Sequence, residues 1–185
     1  MKPRRVAVIG GGPAGLRAAE VAAERGAEVT VFDAKASVGR KFLIAGRGGL
    51  NLTHAEPFDR FAAAYDGPDL PEAAWRGMLA EFDAGALRAW ASGLGIETFA
   101  ASTGRVYPQG MKAAPLLRRW VGRLRALGVR FALHHRWTAV QPGAPFRLGF
   151  ATPSGGVEIE TDAAVLAMGG GSWPQTGSDG AWVSV

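Results

Sequence analysis

The amino-acid sequence predicts an α/β protein whose first part is a parallel βαβ unit of the Rossmann type. Three observations support this fold class. An apolar strand at residues 5–10 runs into Gly10-Gly11-Gly12-Pro13-Ala14-Gly15, an alanine-rich helix extends from Pro13 to about Gly26, and a second strand covers residues 28–33. A strand, a helix and a strand within about 30 residues favour parallel strands joined by a right-handed crossover.

The glycines of this first turn follow the spacing Gly-x-Gly-x-x-Gly, and each has a physical task. Gly10 permits a tight turn, Gly12 lets the backbone approach a pyrophosphate, and Gly15 lets the helix pack closely on the strand. The start of the helix offers unpaired N–H groups and about half a positive charge to phosphates. Asp33 ends the second strand about 20 residues later, where a carboxylate accepts hydrogen bonds from ribose hydroxyls and disfavours a 2′-phosphate. These residues predict a bound dinucleotide, either FAD or NAD.

A second glycine-rich region, residues 34–54, has no clear period. A loop of that length in a compact domain is usually functional or disordered, and its apolar residues argue against disorder. It follows the βαβ unit directly and is long enough to wrap an extended flavin dinucleotide, which favours FAD. A third cluster, Gly169-Gly170-Gly171-Ser172-Trp173-Pro174, does not form a further fingerprint, because Pro174 stands where the last glycine should be.

Periodicity and turn residues predict the remaining elements. Helices are expected near residues 57–65, 71–82 and 83–94, the last with Asp83 as N-cap, and around Leu116 with an end at Gly128. Strands are expected near residues 96–100, 129–133, 137–140, 146–151, 157–160 and 163–168, with a turn at 104–108. We divide the chain into a βαβ unit with the flavin loop (1–55), a helical segment (56–128) and a β-meander with a return strand (129–185). All three belong to the N-terminal part of an FAD-binding domain that we expect to be incomplete at its C-terminal end.

Composition narrows the classes of function. The 185 residues include no cysteine, which excludes disulfides, thiolate metal sites and redox cysteine pairs, so redox chemistry has to come from a bound cofactor. No apolar run reaches the roughly 18 residues of a membrane helix, and we expect a cytoplasmic protein. The net charge is +5, but the arginines are mostly dispersed. We therefore expect a small-molecule substrate, and neither nucleic acid nor a membrane as a partner.

The histidines do not indicate a metal site. His134 and His135 are expected on a strand, where adjacent side chains point to opposite faces. They therefore do not form a metal-binding pair from one side, and we expect no bound metal.

Four stretches of the chain resemble, in the same order, the BaiN-like (YhiN-like) flavoproteins of bacteria. They are residues 7–17, residues 39–53, residues 104–108 with Lys112-Ala113, and residues 167–174 with Thr176-Gly177. Members of that family are FAD- or NAD(P)/FAD-dependent oxidoreductases with a glutathione-reductase-like FAD fold and an inserted domain. Many members carry a cysteine where this chain has Leu50, which places the chain near a cysteine-less branch and excludes a thiol role.

The resemblance implies roles for further residues. Lys41, Gly46, Gly48, Asn51 and Thr53 would lie along the pyrophosphate, ribityl chain and ring of the flavin. Gly169 and Gly170 would let a strand end approach the cofactor, and the backbone of Trp137 would contact the adenine. The full set of expected cofactor-binding residues is Gly10, Gly12, Pro13, Ala14, Gly15, Asp33, Ala34, Lys41, Gly46, Gly48, Asn51, Thr53, Trp137, Gly169 and Gly170. No catalytic residue is indicated.

The leading hypothesis is an FAD-dependent oxidoreductase in which the flavin carries electrons or hydride, with NADH and NADPH as candidate reductants. Two alternatives stay open. The sequence stops soon after the third glycine cluster, which is compatible with a truncated, non-catalytic nucleotide-binding fragment. The basic charge balance is compatible with an RNA-modifying flavoprotein.

Overall fold

The structure is a computed structural model and describes residues 2–67, 69–171, 174 and 179–184. By contacts in space the chain divides into two compact units, Met1–Ile44 with Val121–Val185, and Ala45–Trp120. The three segments expected from the sequence, with boundaries near residues 55 and 128, divide the chain by position and not by contacts. They stay a prediction. In chain order the helices and strands are β1 (Arg5–Ile9), α1 (Pro13–Glu24), β2 (Glu28–Asp33), α2 (Arg40–Ala45), β3 (Thr53–His54), α3 (Phe58–Ala62), α4 (Glu72–Glu81), α5 (Ala84–Gly93), β4 (Thr98–Ala100), β5 (Arg105–Pro108), α6 (Ala113–Ala126), β6 (Arg130–Leu133), β7 (Arg136–Gln141), β8 (Phe146–Thr152), β9 (Gly155–Thr161) and β10 (Ala163–Leu166).

A parallel four-stranded sheet in the order β10-β1-β2-β6 forms the centre of the first unit. Strand β1 lies between two parallel neighbours, and Val8 on it is fully buried. Such a strand has no solvated face, which is why its sequence is apolar without alternation. The predicted strands at β1 and β2 are confirmed. Strand β10 ends at Leu166, two residues earlier than expected, because its partner Ile9 is the last residue of β1 and Gly10 then turns away.

Helix α1 connects β1 to β2, as the sequence predicts. Pro13 begins it, at a position where a missing N–H has no helical partner to lose. Leu16 is fully buried beneath the helix. Glu20 is also fully buried, and its carboxylate oxygens lie 2.9 Å from Arg17 Nη1 and 3.1 Å from Arg123 Nε. These ion pairs give the buried charge the partners it needs.

The antiparallel strands β7, β8 and β9 form a separate three-stranded sheet in the first unit. Its attachment to the parallel sheet is aromatic, since the Phe150 ring stacks on the Phe32 ring with centroids 4.5 Å apart. The antiparallel pairing of β7, β8 and β9 confirms the predicted meander. The buried cluster that joins the two sheets consists of Ala7, Ile9, Phe32, Trp137, Leu148 and Phe150.

The second unit contains α3, α4, α5 and the three-stranded sheet β3-β5-β4. Asp83 caps α5 as predicted, because its Oδ1 accepts a hydrogen bond from the Ala86 N–H at 2.7 Å. The expectation of a turn throughout residues 104–108 is wrong. Residues Arg105–Pro108 form strand β5, with Val106 fully buried and paired to both Thr53 and Ala100.

Two further expectations need correction. The region predicted as loop, residues 34–54, contains the short helix α2 and the strand β3. His134 and His135 do not continue a strand but connect β6 to β7, and His134 has a φ of 58°. Its left-handed backbone breaks the strand alternation, so the two histidine side chains are not related as neighbours on one strand.

Candidate functional site

A cavity of about 530 Å³ opens at the carboxyl ends of the parallel strands, within the first unit. In the sheet, β2 lies next to β1 on one side and β10 lies next to β1 on the other. Open α/β sheets bind ligands where the strand order reverses in this way. The cavity has three parts: the α1 end (residues 10–14), the β6–β7 end (residues 135–137) and the β10 end (residues 166–169).

The glycines at the start of α1 differ in the space that surrounds them. Gly10 has a φ of 108°, and a Cβ there would lie 2.3 Å from the Ala167 carbonyl oxygen. A Cβ on Gly15 would lie 1.9 Å from the Gly10 carbonyl oxygen. At Gly12, by contrast, a Cβ would meet no described atom within 4 Å. Gly12 therefore faces open space at the start of α1, where unpaired N–H groups favour an anion.

Asp33 holds this turn in place. Its Oδ2 accepts a hydrogen bond from the Gly11 N–H and its Oδ1 one from the Lys35 N–H, both at 2.8 Å. The close approach of Asp33 also requires glycine at position 11. A Cβ there would lie 2.8 Å from Asp33 Oδ2 and 2.4 Å from Val38 Cγ1. The spacing Gly-x-Gly-x-x-Gly leaves position 11 open to any residue. Three consecutive glycines before a helix were the available signal that it was not.

At the β6–β7 end, Trp137 is 8% exposed and belongs to the core, and it also lines the cavity. His135 lines the cavity too, with its ring centroid 5.7 Å from that of Phe32. Its backbone N–H donates to the Asp33 carbonyl oxygen at 2.9 Å. The turn between β6 and β7 is therefore tied to the end of β2.

The β10 end is more apolar. Leu166 lines it with 53% of its surface exposed. Met168 and Trp182 are partly buried against the core. Trp182 Nε1 donates a hydrogen bond to the Gly169 carbonyl oxygen at 2.8 Å, and Gly169 has a φ of 76°. This left-handed backbone is readily adopted only by glycine.

Positive charge predominates around the cavity. The basic side chains among its described lining residues are Lys35, Arg40, Lys41 and Arg136, and the acidic ones are Asp33 and Asp179. Together with the dipole of α1, this balance suits a ligand that carries phosphate groups. Among the described residues no group of acidic or histidine side chains could hold a metal ion. The described part of the chain also contains no helix long and apolar enough to cross a membrane.

The structure brings together many of the residues expected from the sequence. Those that line the cavity are Gly10, Gly12, Pro13, Ala14, Asp33, Ala34, Lys41, Trp137 and Gly169. Gly15 lies against Gly10, in the packing position expected of it. Gly170 is described but does not line the cavity. Gly46, Gly48, Asn51 and Thr53 belong to the second unit, and Ser172, Trp173, Thr176 and Gly177 of the last motif lie outside the described residues.

Several residues of the cavity were missed. Besides Gly11, these include Lys35, Arg40, His135 and Arg136. Lys35 and Arg40 stand in a region without a period, so no sequence signal assigned them a direction. His135 and Arg136 were missed because this part of the chain was expected to be a strand, with side chains alternating between its two faces. No turn that directs both residues to the cavity was expected there.

Residues 4–185 match the family model described as HI0933-like protein Rossmann domain. Over 178 residues the chain is 34% identical to the 3-dehydro-bile acid delta(4,6)-reductase of Clostridium scindens, a match that covers 95% of this chain and 41% of that protein. The chain thus spans about two fifths of the length of that curated relative.

Solved structures agree on the fold. The 3-ketosteroid-delta4-(5alpha)-dehydrogenase of Rhodococcus jostii superposes with a TM-score of 0.67 at 20% identity, over 91% of this chain and 49% of that one. The p-nitrophenol 4-monooxygenase of Pseudomonas putida gives a TM-score of 0.55 at 17% identity, over 96% of this chain and 44% of that one. At such identities the likeness shows an α/β Rossmann-like fold of the FAD-binding type. The family model covers nearly the whole chain and agrees with the site geometry above: the chain belongs to the HI0933-like Rossmann-domain family.

Proposed function

We propose that this chain binds FAD in the cavity of the first unit and forms part of a flavin-dependent oxidoreductase. The observation that carries the proposal is the open space at Gly12, at the amino end of α1 and beside a strand that ends in Asp33. A pyrophosphate needs the first feature and an unphosphorylated ribose the second. Both occur on one wall of a cavity large enough for part of a dinucleotide.

In this proposal the backbone at Gly12 and Ala14 holds the pyrophosphate, with Lys41 and Arg40 near by to balance its charge. Asp33 accepts hydrogen bonds from the ribose through lone pairs that its two backbone donors leave available. Gly169 and the apolar residues of the β10 end exclude water on the opposite side.

When bound, FAD would supply the redox chemistry, as an acceptor and donor of hydride or electrons. The names of two similar proteins, a reductase and a dehydrogenase, support an oxidoreductase. The fold alone does not decide the reaction, because one fold hosts many chemistries. The substrate, the reductant and the roles of Gly46, Gly48, Asn51 and Thr53 along the flavin stay proposals, as does a cytoplasmic location.

The proposal is tested by titrating the purified protein with FAD, with FMN and with NAD, and following flavin fluorescence or heat of binding. We expect FAD to bind and to remain bound through gel filtration. FMN lacks the adenosine and NAD lacks the flavin, so both should bind more weakly. A protein that takes up no FAD would contradict the proposal and favour a non-catalytic fragment.

The redox part has its own experiment. Anaerobic addition of NADH or NADPH to the FAD-loaded protein should bleach the flavin absorption if either is the reductant. The alternative of an RNA-modifying flavoprotein predicts salt-sensitive binding of RNA by the loaded protein, and we expect none at low salt.

A further inference from the structure

His135 holds a fixed orientation at the β6–β7 end of the cavity. Its ring centroid lies 5.7 Å from that of Phe32 and 5.9 Å from that of Phe150, in a tilted and an edge-on contact. Its Nδ1 lies 2.7 Å from the Leu133 carbonyl oxygen. Two aromatic neighbours and one hydrogen bond therefore restrain both the plane of the ring and its rotation.

The hydrogen bond also determines where the ring carries its proton. A carbonyl oxygen only accepts, so Nδ1 has to donate the hydrogen to Leu133. In the neutral ring Nε2 is then an acceptor with a free lone pair. Among the described residues Nε2 has no hydrogen-bond partner and is not one of the buried unpaired polar atoms. The side chain thus presents an accessible acceptor on a residue that lines the cavity.

The order of the strands indicates which part of a dinucleotide would meet this acceptor. The pyrophosphate site is at the start of α1, after β1, and the ribose site is Asp33, at the end of β2. The next strand in that direction is β6, and the chain after it carries His135. The His135 N–H donates to the Asp33 carbonyl oxygen, so the two residues are direct neighbours. The base attached to this ribose therefore reaches the β6–β7 end.

We propose that His135 selects adenine as this base, with Nε2 accepting a hydrogen bond from the 6-amino group. The inference rests on the proposed function, because it requires a dinucleotide in the cavity. Hypoxanthine carries an oxygen in place of that amino group. Its oxygen would face the Nε2 lone pair, and two acceptors in contact are unfavourable.

The test compares ADP with IDP, which share the ribose and the diphosphate and differ in the base. Dissociation constants for both nucleotides are measured by calorimetry in the same buffer and at a single pH. We expect the unaltered protein to bind ADP at least about tenfold more tightly than IDP, the scale of one hydrogen bond. His135→Phe keeps a ring against Phe32 and Phe150 but has no acceptor, and should reduce the preference to about threefold or less.

Two further variants separate recognition from structure. His135→Gln places an amide at about the distance of Nε2. Because the amide can turn either its oxygen or its NH₂ to the base, this variant should bind both nucleotides with little preference. His134→Asn changes the neighbouring histidine, which does not line the cavity, to a residue that tolerates its positive φ. It should leave the ratio unchanged. Urea unfolding of each variant checks that the fold is intact.

The outcomes distinguish this inference from the proposed function. If FAD binds but ADP and IDP bind equally, or if His135→Phe keeps the full preference, the role of His135 is wrong and the proposed function stands. If FAD, ADP and IDP all fail to bind, the proposed function is wrong and the inference falls with it.

Discussion

The α1 end and the β6–β7 end of the cavity are built in opposite ways. At the α1 end the groups proposed to bind the ligand are backbone N–H groups, and glycines stand at positions 10, 12 and 15, without side chains. At the β6–β7 end the turn presents side chains, among them His135 and Arg136. A backbone site fixes its residue types by steric exclusion, whereas a side-chain site can change residues without changing the path of the chain. We therefore expect substitutions to affect stability mainly at the first end and ligand choice mainly at the second.

Gly15→Ala should have the largest effect and tests the steric side of the contrast. The new Cβ would lie 1.9 Å from the Gly10 carbonyl oxygen, so helix α1 has to move away from β1. We expect the free energy of unfolding to fall by about 3 kcal/mol, measured by urea denaturation. Gly122→Ala is the matched control, because a Cβ at that position in α6 meets nothing within 4 Å. A loss at Gly15 no larger than at Gly122 would contradict the crowding.

Gly12→Ala should separate binding from stability within the α1 end itself. Its Cβ has free space, and the main cost is the loss of glycine at the N-cap of α1, so the free energy of unfolding should fall by no more than about 1 kcal/mol. The same Cβ would occupy the space proposed for the pyrophosphate, and the dissociation constant for FAD should rise at least about tenfold. Fluorescence titration measures it. Unchanged FAD affinity would show that the phosphates pass elsewhere.

Asp33→Asn sharpens the comparison because Asp33 contacts both ends. The amide keeps one oxygen, but its NH₂ would face either the Gly11 or the Lys35 N–H, so one hydrogen bond is lost. We expect a loss of about 1–2 kcal/mol in the free energy of unfolding, together with weaker FAD binding. Asp179→Asn provides the control, since that carboxylate also lines the cavity and, among the described residues, accepts a hydrogen bond from the nearby Ala181 N–H alone. If the two variants lowered stability and FAD affinity equally, Asp33 would not be the residue that connects the two ends of the cavity.

Asp162→Asn should have the smallest effect, because Asp162 lies just before β10, at the end of the parallel strands away from the cavity. The hydrogen bond from the Arg5 side chain, aided by the Arg5 backbone N–H, holds the pKa of Asp162 below its ordinary value. A lowered carboxyl pKa stabilises the fold at neutral pH, and the contribution is lost as pH falls through the folded-state pKa. The variant should therefore have a slightly lower Tm than the unaltered protein at neutral pH, a difference that disappears in strong acid. A change in FAD affinity would contradict its separation from the cavity.

The same contrast explains what was predictable from the sequence. The βαβ unit was predicted because glycine spacing and strand periodicity are local signals, and the positions of Gly10 and Gly15 follow from them. Strand β5 was not predicted, because its pairing with β3 and β4 is non-local, and because Gly104 before it and Pro108 at its end are typical of a turn. The position of His135 in the cavity depends on the positive φ of His134. A positive φ is usually predicted from a glycine, and the sequence has none at this point. The contacts of Asp33 with Gly11 and Lys35 likewise become visible only in three dimensions.

The pairing of β1 with β10 also determines when the site can form during synthesis. Arg5 and Asp162, hydrogen-bonded at the start of these strands, are 157 residues apart in the chain. The carbonyl oxygen of Ala167, which limits the space at Gly10, leaves the ribosome later still. Until then β1 has an unpaired edge, which is a template for association with other strands. Because these partners are so far apart in the chain, the nucleotide turn is synthesised well before the residues that complete it.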